Sequence, residues 1–107
     1  MKLALCQIAM SDNENENLER QLSALRQAAL HGADLIVYPE LQLHRFFPQY
    51  EGRDVSDKLL TADHPIIRQF QDACRENRIM AAPNFYLREP SGCFDATLLI
   101  GGDGALL

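Results

Sequence analysis

The sequence predicts an α/β fold, and three observations carry that prediction. Two largely apolar runs, Lys2–Met10 and Leu35–Leu43, read as buried strands, and the second begins Leu-Ile-Val with no polar residue to alternate with. Between them Leu18, Leu22, Leu25 and the Ala28/Ala29 pair recur at helical spacing, with Glu19, Arg20, Arg26 and Gln27 on the other faces. A strand–helix–strand–helix order of this kind suits a parallel sheet with helices packed on it.

The first strand spans Lys2–Met10, and Gln7 is its main polar interruption. Ser11-Asp12-Asn13 supplies helix N-cap candidates, and Asn13 with Glu16 three residues on resembles a capping box with acid in the first turn. Gly32 ends this helix, as the residue that most readily adopts the left-handed conformation past a C-cap. His31 falls in its last turn, where a partial positive charge suits the carbonyl end of the dipole. The second strand, Leu35–Leu43, is expected to be buried on both faces, and Pro39 ends its ladder for want of an N–H donor. Residues 42–62 form a long irregular segment with a possible short helix over Val55–Leu60. A second helix is predicted over Asp63–Asn77, with Pro65 in its first turn, His64 at its boundary, and Ile66, Ile67, Phe70, Ala73 and Cys74 on one face. Ile79–Leu87 reads as a third strand limited by Pro83 to an edge, an end or a bulge. Glu89-Pro90-Ser91-Gly92 is a turn, Cys93–Ile100 a fourth strand, and Gly101-Gly102-Asp103-Gly104 a hairpin turn.

At 107 residues the chain is one domain at most. Its hydrophobic fraction of 47% against 23% charged is that of a globular domain, and no apolar run reaches the ~18 residues of a membrane span. No signal peptide is recognisable, so a cytoplasmic protein is the default. The net charge of −5 and only two lysines argue against nucleic acid as a partner. Cys6, Cys74 and Cys93 include no Cys-x-x-Cys pair and read as reduced thiols. His31, His44 and His64 lack metal-ligand spacing, and no glycine-rich cofactor loop follows the first strand, so neither metal nor cofactor is expected.

One carboxylate stands out. Glu40 directly follows Pro39, at the carboxyl end of an apolar strand, where open α/β sheets bind ligands. Apolar neighbours there disfavour its charged form, as a general base near neutral pH requires. The alternative is a structural carboxylate that caps a loop or holds an ion pair. Phe46, Phe47 and Tyr50 follow in the long loop and are either pocket walls or core and subunit contacts.

Tyr38-Pro39-Glu40-Leu41-Gln42-Leu43, preceded by His31-Gly32-Ala33-Asp34-Leu35 and by the opening Leu3-Ala4-Leu5-Cys6-Gln7-Ile8, resembles the N-terminal part of the nitrilase superfamily of carbon–nitrogen hydrolases. The likeness runs in order from the first strand to the Asp103-Gly104 turn. The Phe46-Phe47-Pro48 segment after the Glu is most similar to the N-carbamoyl amino acid and N-carbamoylputrescine amidases. His44-Arg45 departs from the small or hydroxylated residues usual there, which bears on substrate more than on fold.

The resemblance implies a four-layer α-β-β-α sandwich, of which about four strands and two main helices are expected here. It implies a Glu-Lys-Cys triad acting on a small amide, carbamoyl or nitrile substrate. Glu40 matches the family's Glu. The family's Lys follows the Asp-Gly hairpin and its Cys lies further on, so residues 1–107 are expected to be a partial domain that stops before both. Lys2 and Lys58 match neither motif, and none of the three cysteines matches the nucleophile. The inner sheet face would then lack its partner sheet, and a homo-oligomer is expected. The competing expectation is a non-catalytic α/β module that oligomerises or binds a partner.

Overall fold

The computed structural model describes residues 1–7, 11, 13–39, 60–61, 63–89 and 92–107, without the side chains of Arg88, Glu89, Cys93 and Phe94. Among the described residues the elements run in the order β1 (Leu3–Leu5), α1 (Glu14–Leu30), β2 (Leu35–Val37), α2 (Pro65–Asn77), β3 (Met80–Ala82), β4 (Asn84–Glu89) and β5 (Gly92–Thr97). β1, β2 and β3 form a parallel sheet in that order, and β4 and β5 form an antiparallel pair.

Helix α1 starts where the sequence places its cap. Asn13 is the N-cap, and its side chain accepts from the Glu16 N–H at 3.1 Å. Asn17, one turn on, is fully buried and closes a two-way clamp: its Oδ1 accepts from Ser11 N–H and its Nδ2 donates to Ser11 O, both at 2.9 Å. The helix ends at His31, and Gly32 takes a positive φ of 81°. Lys2 Nζ donates to the freed His31 carbonyl, so a cation at this helix end comes from the start of β1.

Helix α2 begins with His64 as its N-cap, whose Nδ1 accepts from Ile66 N–H at 3.1 Å, and with Pro65 in the first turn. It ends on Arg78 in the left-handed region, φ 53°, without the glycine that usually stands there.

Register explains the burial. The rows Leu3–Leu35–Met80 and Leu5–Val37–Ala82 lie on one face of the parallel sheet, and Ala4–Ile36–Ala81 lies on the other. Crossovers of one hand in a sheet of order β1-β2-β3 put both helices on the same side, where α1 packs against α2. Ile36 and Ala81 are buried there beneath Leu18, Leu22, Leu25, Ile67, Phe70 and Cys74. Among the described residues no element packs on the opposite face: Leu3 is 55% and Leu5 67% exposed, and Leu35, Val37, Met80 and Ala82 are half-buried. Thus β2, expected to be buried on both faces, is buried on one, because helices cover only one.

Other boundaries differ from the sequence prediction. The strand predicted over Ile79–Leu87 is two strands in two sheets, because buried Pro83 has no N–H for the ladder and the chain turns there from β3 to β4. The strand predicted over Cys93–Ile100 ends at Thr97, and Ile100 instead makes an antiparallel bridge to Ala81. Leu60, placed in a possible short helix, is a buried bridge partner of Leu87. The rest of that helix, Val55–Lys58 and Leu59, lies outside the described residues, as do Ile8–Met10 of the first strand and Glu40–Leu43 of the second. The Gly101–Gly104 turn is present: Gly104 N–H donates to Gly101 O at 2.9 Å, and Ile100 bridges Leu106. Gly104 has φ +86°, and a Cβ there would meet Gln71 O at 2.8 Å, so only glycine lets this turn dock on α2.

Candidate active site at the carboxyl edge of the parallel sheet

The parallel ladder carries on one residue past β2. Cys6 N–H donates to Val37 O at 2.9 Å and Tyr38 N–H to Ala82 O at 3.4 Å. The next residue is Pro39, which has no proton to donate, and the chain leaves the sheet.

Tyr38 fixes where that departure happens. Its ring is buried edge-on against Phe70, with centroids 5.4 Å apart, and Phe70 in turn meets Phe85 at 5.7 Å. Its hydroxyl donates to Gln21 O of α1 at 2.8 Å. Burial pushes the Tyr38 phenol far up, so it stays protonated as a fixed donor. Tyr38 therefore ties the end of β2 to both helices and, through Phe70, to Phe85 of β4.

Among the described residues two clefts open at this edge. One, about 160 Å³, is lined by Leu5, Cys6, Gln7, Val37, Tyr38 and Pro39, between the ends of β1 and β2. The other, about 400 Å³, lies between Tyr38 and the β4–β5 hairpin and is lined by Tyr38, Asn84, Asp95 and Thr97. Asn84 Nδ2 donates to Thr97 Oγ1 at 3.0 Å across the base of the hairpin.

Both described cysteines are core thiols. Burial raises Cys6, and it pushes Cys74 up to about 12, so at neutral pH each is a protonated packing residue. Lys2 lies at the amino end of β1, the sheet edge opposite Tyr38 and Pro39, bonded to His31 O. The sequence-predicted site residues Glu40, Phe46, Phe47 and Tyr50 lie outside the described residues, as does Lys58. Sequence reasoning passed over Asn84, Asp95 and Thr97. The signal was the alternation in β5, where Ala96 turns to the core and Asp95 and Thr97 face the other way.

A profile of the family described as carbon-nitrogen hydrolase matches residues 2–107. The chain belongs to the carbon–nitrogen hydrolases. Among curated relatives of this hydrolase chain, a citrullinase from Francisella tularensis is 30% identical over 108 residues, covering 100% of the chain and 38% of the citrullinase. An N-carbamoylputrescine amidase from Oryza sativa is 24% identical over 105 residues, covering 97% of the chain and 35% of the amidase. Among solved structures, a carbon–nitrogen hydrolase from Helicobacter pylori matches with a TM-score of 0.86 at 17% identity, over 97% of the chain and 36% of its own. An amidase from Nesterenkonia sp. matches with a TM-score of 0.76 at 23% identity, over 100% of the chain and 40% of its own. The hydrolase chain thus spans less than half the length of the relatives it matches. At such identities the structural likeness establishes the fold, a partial nitrilase-like α/β arrangement of two helices and five strands.

Proposed function

We propose that this chain carries the general base, Glu40, of a hydrolase acting on small amide or N-carbamoyl compounds. One observation carries the proposal: the β2 ladder ends at Tyr38 and Pro39, beside two clefts at the carboxyl edge of the parallel sheet, and Glu40 is the next residue in the chain. The family's Lys and Cys have no matching positions in residues 1–107, so this part supplies one member of a Glu-Lys-Cys triad within a larger domain. Phe46, Phe47 and Tyr50 follow closely and supply pocket walls. The names of the citrullinase and N-carbamoylputrescine amidase relatives favour the carbamoyl branch.

The chemistry divides accordingly. Glu40 takes the thiol proton of the Cys, and the thiolate attacks the substrate carbonyl carbon while the Lys ammonium stabilises the charge developing on oxygen. The same proton then goes to the departing nitrogen, the C–N bond breaks, and a thioester remains. Glu40 next takes a proton from water, hydroxide adds to the thioester carbonyl, and the C–S bond breaks to return the Cys. No cofactor or metal enters this scheme. This reading includes a homo-oligomer, supported by the face bearing the exposed Leu3 and Leu5, and takes the cytoplasm as the default location. Among the described residues no helix is long and apolar enough to cross a membrane.

The test is Glu40→Gln in the protein that joins residues 1–107 to the family's Lys and Cys. Turnover should fall by about 10²-fold or more with an unchanged thermal midpoint, because the amide keeps the shape and cannot take the proton. A variant that is active and destabilised would make Glu40 a structural carboxylate and end this assignment.

A further inference from the structure

Tyr38 carries more anchoring than the end of a strand requires. The backbone holds it weakly: its N–H reaches Ala82 O at 3.4 Å, beyond the about 2.7–3.2 Å of a good hydrogen bond, whereas the neighbouring bond from Cys6 N–H to Val37 O is 2.9 Å. The side chain supplies what the ladder lacks. Its ring meets Phe70 at an interplanar angle of 81°, and its hydroxyl donates to Gln21 O at 2.8 Å in a buried bond to the middle of α1. A phenylalanine would fill the same space, so the tyrosine adds one directional bond between sheet edge and helix. That bond ends on a fixed point. Gln21 is fully buried beside Leu18, Leu22 and Leu25, the residues by which α1 packs into the core.

Past this anchor the chain has little freedom before Glu40. The ring of Pro39 locks its φ, and a residue that precedes proline is confined to extended ψ. Between the Tyr38 and Glu40 α-carbons only Pro39 ψ is left soft. We propose that Tyr38 is a positioning residue for the general base, its hydroxyl bond to Gln21 O fixing the point from which the chain enters Glu40. This rests on the reading of Glu40 as the base and adds what holds it in place. A misplacement of about 1 Å can cost about 10²-fold in rate, so a tether of this kind is felt in kcat before it is felt in the fold.

The experiment uses the hydrolase that contains residues 1–107 together with the family's Lys and Cys. Tyr38→Phe keeps the ring and removes the bond; kcat should fall by about tenfold or more with KM little changed, and the thermal midpoint by only about 2–4 °C, the effect of one hydrogen bond. Made in Glu40→Gln, the same substitution should lower kcat no further, because a residue that cannot take the proton loses nothing by being displaced. A native kcat in Tyr38→Phe overturns the proposal, and so does an equal fall in both backgrounds, which marks a purely structural loss. Should Tyr38→Phe not fold, Pro39→Ala, which loosens the link and leaves the anchor, decides by the same comparison: a fall in kcat confined to the Glu40 background upholds the tether, and a native kcat or an equal fall overturns it. If Glu40→Gln turns over at the native rate, the base assignment fails and the tether with it; if Glu40→Gln is slow and Tyr38→Phe is not, the tether alone fails.

Discussion

Replacing Phe70 by Ala removes the ring on which the two sheets meet. Phe70 is 0% exposed, on the buried face of α2, with edge contacts to Tyr38 after β2 and to Phe85 in β4. Truncating a fully buried phenylalanine costs about 3–5 kcal/mol from lost transfer energy and the cavity left behind. Against the roughly 5–15 kcal/mol that holds a domain folded, that is a large fraction. Phe70→Leu keeps most of the volume and loses both ring contacts, each about 0.5–1.5 kcal/mol, so it should fall between the native chain and Phe70→Ala. Urea unfolding followed by far-UV dichroism at fixed protein concentration gives all three values. For a chain of this length each kcal/mol moves the thermal midpoint by about 4–8 °C. A loss below about 1 kcal/mol in Phe70→Ala would refute the view that one ring joins the parallel sheet to the hairpin. So would strict additivity of Phe70→Leu with Tyr38→Leu, since side chains in contact couple.

Alkaline pH should destabilise the protein, with the buried Cys74 thiol contributing alongside Tyr38 and Cys6. Cys74 ionises at about 12 when folded and at the ordinary 9.0 when not, so its contribution to stability is complete below 9.0 and is lost as pH rises from there towards 12. Cys74→Ala should flatten the fall in urea midpoint across that window, and an unaltered slope would place the alkaline sensitivity elsewhere. Residues 1–107 expressed alone should run as a dimer or larger species in size exclusion with light scattering at low micromolar concentration, because Leu3 and Leu5 on the open sheet face need cover. A monomer with native-like near-UV dichroism would contradict this.

Local rules made much of this fold readable. Asn13 and Gly32 bracket α1 because each satisfies helix-end groups that have no other partner, and His64 with Pro65 does the same for the start of α2. Pro39 could be read as the end of β2 from its missing donor alone. What escaped the sequence depends on partners distant along the chain. Nothing in Ile79–Leu87 states that residues on either side of Pro83 pair in different sheets, since that depends on Ala81 meeting Ile100 and on Asn84 meeting Thr97. Arg78 takes a left-handed conformation that only glycine or asparagine would have signalled. The continuous apolar run of β2 suggested two covered faces because the residues that cover a sheet do not appear in the strand itself. For the site, the sequence pointed to the carboxyl edge of the parallel sheet, where the two described clefts lie, and to Glu40, which is outside the described residues. The polar cleft beside it was not legible, because Asn84, Asp95 and Thr97 converge only once the hairpin has folded back on Tyr38.

The hairpin is closed at its base twice over. Leu98 N–H donates to Pro83 O at 2.8 Å, and one step further in, Ala81 and Ile100 exchange N–H···O bonds of 3.0 and 2.8 Å. The chain therefore departs from the parallel sheet and returns to it at the same place, and β4 and β5 form an excursion that the sheet does not need for its own register. Changes at the exposed positions of the hairpin leave β1, β2 and β3 aligned, whereas Phe85 and Leu87 belong to the shared core. Since the excursion also carries the Asn84, Asp95 and Thr97 wall, the strand edge that leads into Glu40 and the surface facing it can diverge at separate rates.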